Sequence, residues 1–157
     1  MAANSLKQLA SKILKAQKII LSTHRHCDGD GLGAQLALYH ALRCLKKDVR
    51  VLNVDPTPRK YGFLPGVDDI EYFEREHSPV QASDITLIFD TNDERLLQGL
   101  FAVFKRNSRE ICFIDHHPLL LKGPQPNESY IDIEAASTGE IAYELIKALA
   151  VNIDTNI

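Results

Sequence analysis

Three polar clusters in this chain each terminate a short apolar run. His24-Arg25-His26-Cys27-Asp28-Gly29-Asp30 follows residues 18–22, Asp90 follows residues 85–89, and Asp115-His116-His117 follows residues 111–114. Runs that short, rich in Ile, Val and Phe, read as buried parallel strands, so the clusters should meet at one edge of one sheet. Carboxylates gathered in an apolar surround repel one another, and each must shift its pKa or take up a cation. Metal ligation is the least costly explanation, and the pattern predicts a two-metal hydrolytic site.

Spacing sharpens that expectation. Asp28 and Asp30 are two residues apart, His24 lies four before Asp28, and Gly29 and Gly31 let the backbone come close, so one loop can serve two neighbouring cations. Mixed carboxylate and imidazole ligands without thiolate favour Mn2+ or Mg2+, while Co2+ or Fe2+ would also fit. Adjacent His116 and His117 diverge, so that one can ligate metal while the other faces a substrate phosphate. Two cations roughly 3.5 to 4 Å apart lower the pKa of a shared water and neutralise phosphoryl oxygens, so no side-chain nucleophile is required. Cys27 then reads as a small packing residue.

The elements that must position these groups alternate along the chain. Leu6, Leu9, Ala10, Ile13 and Leu14 predict an amphipathic helix over residues 5–16, handing to a strand over 18–22. A second helix is expected from about residue 32 to 46, and strands over 49–54, 85–90, 110–115 and 130–133, with 70–73 as a short extra one. Thr91 with Glu94 and Ser137 with Glu140 have capping-box spacing, which predicts two further helices. Pro118, Gly123-Pro124 and Pro126-Asn127 make a loop, and Phe63 before Leu64-Pro65 is expected to pack a loop onto the core. Such alternation implies an α/β fold: a parallel sheet of about five strands, order 2-1-3-4-5, with helices on both faces and ligands beyond the carboxyl ends of the strands.

Composition bounds the partners. A chain of 157 residues that is 45% hydrophobic can bury a sizeable core as one domain. A formal net charge of -3 gives no global attraction for long duplex nucleic acid. Cys27, Cys44 and Cys112 are odd in number and form no C-x-x-C pair, which points to reduced thiols and a cytoplasmic location. No apolar run approaches membrane-spanning length. His26 could contact substrate or be solvated, His40 reads as a helix-face residue and His77 as a loop residue.

Taken together, His24-Arg-His-Cys-Asp28-Gly-Asp30-Gly-Leu-Gly, Phe89-Asp90-Thr-Asn-Asp93, Asp115-His116-His117 and Ala136-Ser137-Thr138 resemble the first motifs of the DHH phosphoesterase family, in order and over nearly the whole chain. Arg59-Lys-Tyr-Gly-Phe63-Leu-Pro65-Gly66 most resembles the nanoRNase branch, oligoribonucleases that also remove the 3'-phosphate of phosphoadenosine phosphate. The resemblance implies that His24 and Asp28 hold one metal, Asp30 and His116 the other, and Asp90 bridges them. It further implies that His117 touches the scissile phosphate, that Asp115 orients a neighbouring group, and that Ser137, Thr138 and Arg59 contact substrate. Asp93 would bond backbone at the start of its helix. The cofactors would be two divalent cations, Mn2+ first, with Mg2+ or Co2+ as alternatives, and the substrates short oligonucleotides or nucleotides. Related chemistries of the same family are a RecJ-like single-strand exonuclease, a cyclic dinucleotide phosphodiesterase and a pyrophosphatase; a lobe that binds nucleotide without turnover is the non-enzymatic alternative.

Two departures from the family pattern set further expectations. Cys27 stands where the family often has proline, and Asp154 precedes Thr155-Asn156 rather than Thr-Gly. Residues 1–157 therefore read as a truncated catalytic lobe lacking a later metal-binding Asp and a C-terminal substrate-binding domain, weak or inactive alone. Ile141, Leu145, Ile146 and Leu149 would then be apolar surface left open to self-association, such as a homodimer.

Overall fold

The computed structural model describes residues 5–73, 80–125, 129–155 and 157. His77 and the Pro126-Asn127 breaker lie outside them. Six strands form one all-parallel sheet: β1 (Lys18–Thr23), β2 (Asp48–Asn53), β3 (Ile70–Tyr72), β4 (Ser83–Phe89), β5 (Ser108–Asp115) and β6 (Ser129–Ile131). Their order is β3-β2-β1-β4-β5-β6. The five principal strands take the expected 2-1-3-4-5 arrangement, and the short segment after Val67–Asp69 adds a sixth at the edge beside β2.

Four helices, α1 (Leu6–Lys15), α2 (Gly29–Cys44), α3 (Gln98–Asn107) and α4 (Thr138–Ala148), cover the two faces. Helices α1, α2 and α4 pack with Ile19, Leu21, Val51, Leu87 and Ile114 into the larger core. On the opposite face α3 buries Leu100 and Phe104 against Ile20, Ile88 and Phe113. Burying a side chain such as Phe104 contributes about 1.5–3 kcal/mol, so each face is held by several such contacts. Successive strand residues point to opposite faces, which is why Ile19 and Ile20 serve different cores.

Helix starts follow side-chain capping. Ser5 and Gln8 close a capping box on α1. Ser5 Oγ accepts from Gln8 N at 3.2 Å, and Gln8 Oε1 accepts from Ser5 N at 2.7 Å. Helix α2 begins at Gly29 rather than near residue 32, because Asp28 caps it. Thr91 and Glu94 do not form the expected capping box. Thr91 Oγ1 accepts from Asp93 N at 3.0 Å, Asp93 caps a 3-10 turn over Glu94–Leu97, and α3 starts directly after it at Gln98, whose φ of 49° breaks the two apart. Ser137 does cap α4, accepting from Glu140 N at 3.1 Å.

Two further expectations are corrected. Ile141, Leu145, Ile146 and Leu149 are all buried, because α4 packs this face against α2 and α1; it is core and offers no surface for self-association. Phe63 stands 77% exposed on the turn after Arg59–Tyr61, and it is Leu64 that packs against the core. His40 does more than occupy a helix face: its Nε2 lies 3.0 Å from Pro65 O, against the Pro65-Gly66 turn in which Gly66 takes φ 80°. No helix of the described residues is long and apolar enough to cross a membrane.

At the opposite end of the sheet from the polar clusters, Asp84 ties the start of β4 to the α1–β1 turn. Its Oδ2 accepts from Gln17 N and Lys18 N at 2.9 Å each. These backbone donors hold its carboxyl below the usual carboxylate pKa. A carboxylate with a lowered folded pKa stabilises the protein above its unfolded pKa of about 3.9 and loses that contribution as pH falls through the folded value. Asp84→Asn should therefore lower the thermal midpoint at pH 7, and the gap to wild type should close on acidification below pH 4. A gap that is constant with pH would contradict this account.

Candidate metal centre

Parallel pairing places Thr23 opposite Phe89 and Phe89 opposite Ile114, so the carboxyl ends of β1, β4 and β5 lie side by side. This is the point where the strand order reverses: β1 leads to β2 on one side and β4 lies on the other. The residue leaving β4 is Asp90, in the left-handed region at φ 61°. Asp tolerates that region better than most residues, though such a conformation costs on the order of 1–3 kcal/mol. It is secured by Asp90 N donating to Ile114 O at 2.9 Å and Thr138 Oγ1 donating to Asp90 Oδ1 at 2.9 Å.

Asp90 is 6% exposed and is ringed by imidazoles. His24 Nε2 lies 3.5 Å from Asp90 Oδ2, whereas His116 Nε2 and His117 Nδ1 lie 3.8 and 3.9 Å from Oδ1. The two oxygens of one buried carboxylate thus face two different sets of partners. His24, Asp28 and Asp90 bring one ligand atom each within 4.8 Å of one another, and so do Asp90, His116 and His117.

Asp28 and Asp30 divide their work across the first turn of α2. Asp28 Oδ1 accepts from Asp30 N at 3.0 Å and Gly31 N at 3.3 Å. The N-cap carboxylate is therefore aimed at the site by the helix it starts. Asp30 turns the other way. Its Oδ1 accepts from Gly139 N at 2.7 Å and its Oδ2 from Thr138 N at 2.9 Å, with His116 Nε2 3.6 Å from Oδ2. The anion at the N-terminus of α4 is thus the protein's own Asp30 carboxylate.

That arrangement gives Thr138 a structural part within the site, while Ser137 caps the helix. Ser137 Oγ is spent on capping α4, and Thr138 is fully buried between Asp30 and Asp90. Arg59 is exposed on its 3-10 turn, in the same turn as Tyr61, whose ring borders Gly29. Asp93 bonds backbone, accepting from Arg95 N at 3.0 Å and pairing with the Arg95 guanidinium. His26 is exposed on the loop and its backbone N–H donates to Asp55 Oδ2 at 2.8 Å. Cys27 is buried, and burial pushes its thiol up to about 11, so it is no nucleophile at neutral pH. All three cysteines are free.

Asp115 is fully buried and receives His117 Nδ1 at 2.7 Å and Asn92 Nδ2 at 2.7 Å. Burial works against a charged His117, yet the Asp115 bond and the charges of Asp115, Asp90 and Asp30 outweigh it and raise the pKa. For His24 the nearby Asp90 carboxylate dominates and likewise raises the pKa. Asn92 and three other supports, Thr23, Gln35 and Asn53, were not foreseen. Asn92 Oδ1 accepts from Leu120 N at 3.0 Å, fixing the loop after His117-Pro118. Asn53 Oδ1 accepts from Thr23 N at 3.2 Å and Gln35 Nε2 at 2.7 Å, joining β1, β2 and α2 beneath the site. Polar residues ending otherwise apolar strands were the available signal for Thr23 and Asn53.

The donor set fits divalent cations. Separations of 3.5 to 3.8 Å divide His24 and His116 from the carboxylates. Such distances are too long for N–H···O bonds. They approach the spacing of about 3 to 3.6 Å that two ligand atoms adopt around an ion with bonds near roughly 2.0–2.2 Å. An open cleft bordered by His24, Asp28, Thr91, His117 and Leu120 gives access from solvent.

Gly31 sets how closely α2 approaches this centre. A Cβ there would stand 2.5 Å from Thr23 Oγ1 and 3.3 Å from Asp90 Cβ, and Thr23 is itself held by donating to Phe89 O at 3.0 Å. Gly31→Ala should cost about 1–3 kcal/mol in urea unfolding, the usual overpacking penalty, and reduce metal affinity as well. A variant as stable as wild type would contradict the crowding. For the metal-free protein the raised pKa of His24 means that its pairing with Asp90 stabilises below the unfolded value of about 6.5 and is lost as pH rises through the folded one. Thermal midpoints in chelator should show His24→Ala destabilised at pH 5.5 and the gap to wild type narrowing towards pH 9.

Comparison with known proteins agrees with this geometry. Residues 18–157 match the model of the DHH family, N-terminal domain. The bifunctional oligoribonuclease and PAP phosphatase NrnA of Thermus thermophilus is 29% identical over 149 residues, 92% of this chain and 41% of that protein. An exopolyphosphatase-related protein of Bacteroides fragilis has the same fold, with a TM-score of 0.80 at 24% identity over 92% of this chain and 43% of that one. The chain thus spans about four-tenths of the length of these relatives. With the matched region covering the sheet, α2, α4 and all three polar clusters, the chain belongs to the DHH phosphoesterase family and carries its N-terminal domain.

Proposed function

We propose that this chain carries the two-cation centre of a phosphoesterase that hydrolyses short oligonucleotides and removes the 3'-phosphate of phosphoadenosine phosphate. The observation that carries the reading is the divided orientation of Asp90, one oxygen towards His24 and the other towards His116. His24 and Asp28 would hold one cation, Asp30 and His116 the other, with Asp90 shared. Mn2+ is the first choice for an oxygen and imidazole set, with Mg2+ or Co2+ as alternatives. When bound, such ions lower the pKa of water and neutralise phosphoryl oxygens.

The chain's own residues supply position and charge. His117, half-exposed at the cleft and held by Asp115, would present its free ring nitrogen to the scissile phosphate. Asp115 fixes that ring and, through Asn92, the loop beside it. Arg59 would meet a more distant phosphate of the substrate. The relation to the Thermus thermophilus oligoribonuclease and phosphatase supports this substrate class. The share of that protein matched here supports reading residues 1–157 as a catalytic lobe that needs further substrate-binding residues for full activity.

Manganese titration followed by electron paramagnetic resonance tests the reading. The purified chain should bind two Mn2+ with the signature of a coupled pair, and Asp90→Asn should abolish the coupling. Hydrolysis of a labelled diribonucleotide should require Mn2+, be slow for this chain and fall at least a hundredfold in Asp90→Asn. Binding of a single isolated ion by the wild-type chain would overturn it.

A further inference from the structure

Helix α3 leaves part of β5 uncovered. Strand β6 pairs with β5 only from Phe113 onwards, so among the described residues the Ser108 to Cys112 half of β5 has no strand neighbour on that side. Between this half-strand, α3 and the loop at Lys122-Gly123-Pro124 lies a cavity of about 270 Å3. Its lining combines apolar Phe101, Ile111 and Phe113 with cationic Lys105, Arg109 and Lys122. None of the proposed metal ligands lines it.

The charges there are at odds with the rest of the molecule. Among the described residues lining it, three cations accompany one carboxylate, Glu94, in a chain whose net charge is -3. Among the described residues Arg109 makes a long ion pair, 3.6 Å to Asp84, and its side chain is 83% exposed. Lys105 holds its ammonium 5.5 Å above the Phe101 ring, and that ring packs against Phe113 with centroids 5.8 Å apart and a tilt of 47°. Like charges gathered in one lining repel one another, and an anion between them would relieve that repulsion.

We propose that this cavity is a second binding site, separate from the metal centre, for a small anion carrying a planar ring, of the size and chemistry of a nucleoside monophosphate. The ring would lie against Phe101 and Ile111, the edge and face contacts that aromatic side chains favour. The phosphate would take Lys105, Arg109 and Lys122. The volume lies near the small end of ligand pockets, which run from about 300 to 1,000 Å3, so a mononucleotide fits where a longer strand would not. The inference does not rest on the phosphoesterase reading.

Calorimetric titration with adenosine 5'-monophosphate, in chelator so that the metal centre is silent, tests it. Saturable one-to-one binding is expected, with affinity lowered at least tenfold in Lys105→Ala/Lys122→Ala and in Ile111→Trp, which fills the cavity. Circular dichroism and thermal melts establish that both variants fold. Asp90→Asn should bind the nucleotide as wild type does, whatever it does to manganese. Inorganic phosphate should bind at least tenfold more weakly. The proposal is overturned by absence of saturable binding, by binding that survives both cavity variants, by loss in Asp90→Asn, or by equal affinity for phosphate.

Discussion

One buried carboxylate organises this molecule. Asp90 is almost fully enclosed, and an isolated charge in that setting would be costly, so the surroundings must compensate it. They do so with one hydroxyl donor, Thr138, and three imidazoles that approach without closing hydrogen bonds. The remaining architecture follows from bringing those groups to one point. A parallel sheet with a switch between β1 and β4 places three strand ends together, α2 supplies two carboxylates from its first turn, and α4 supplies the donors that hold Asp30 and Asp90 still. Close approach of α2 to Asp90 in turn requires the missing Cβ of Gly31.

Much of this was legible before any coordinates. Strand ends could be located because short Ile, Val and Phe runs stop abruptly at His24, Asp90 and Asp115, and the alternation of strands with helical spacing specifies a parallel sheet. That alternation leaves several strand orders open, of which the principal strands take 2-1-3-4-5. What escaped reading depends on three-dimensional proximity between distant residues. Gly31 and Thr23 touch across two elements, Asn53 meets Gln35 and Thr23 from separate elements, and Asn92 reaches Asp115 and Leu120 across the site; no local pattern announces these. Helix α2 starts earlier than periodicity implied, since glycine and aspartate weaken the apolar signal of its first turn while the Asp28 cap overrides their low propensity.

Thr138 illustrates the same limit in a sharper form. Its position after an N-cap made it a natural candidate for an external anion, yet the helix terminus already holds Asp30. Similarly, apolar spacing on the last helix marked a face in need of cover but could not say that this chain covers it; α2 and α1 do. Phe63 shows the converse, an aromatic residue left in solvent because Leu64 takes the inward direction of its turn. The left-handed backbone at Asp90 is another feature without a local signal; in that conformation one carboxylate faces His24 on one side and His116 and His117 on the other.

The pairing of Asp30 with the start of α4 spans 109 residues, and with it the centre gains contributions from near both ends of the described chain. During synthesis, Asp30 emerges well before the Thr138 and Gly139 amides that orient it. Until α4 docks, Asp28 is already aimed by its own helix but Asp30 is not, so the two halves of the proposed centre form at different times. Uptake of a second ion by a refolding chain would thus report the docking of α4.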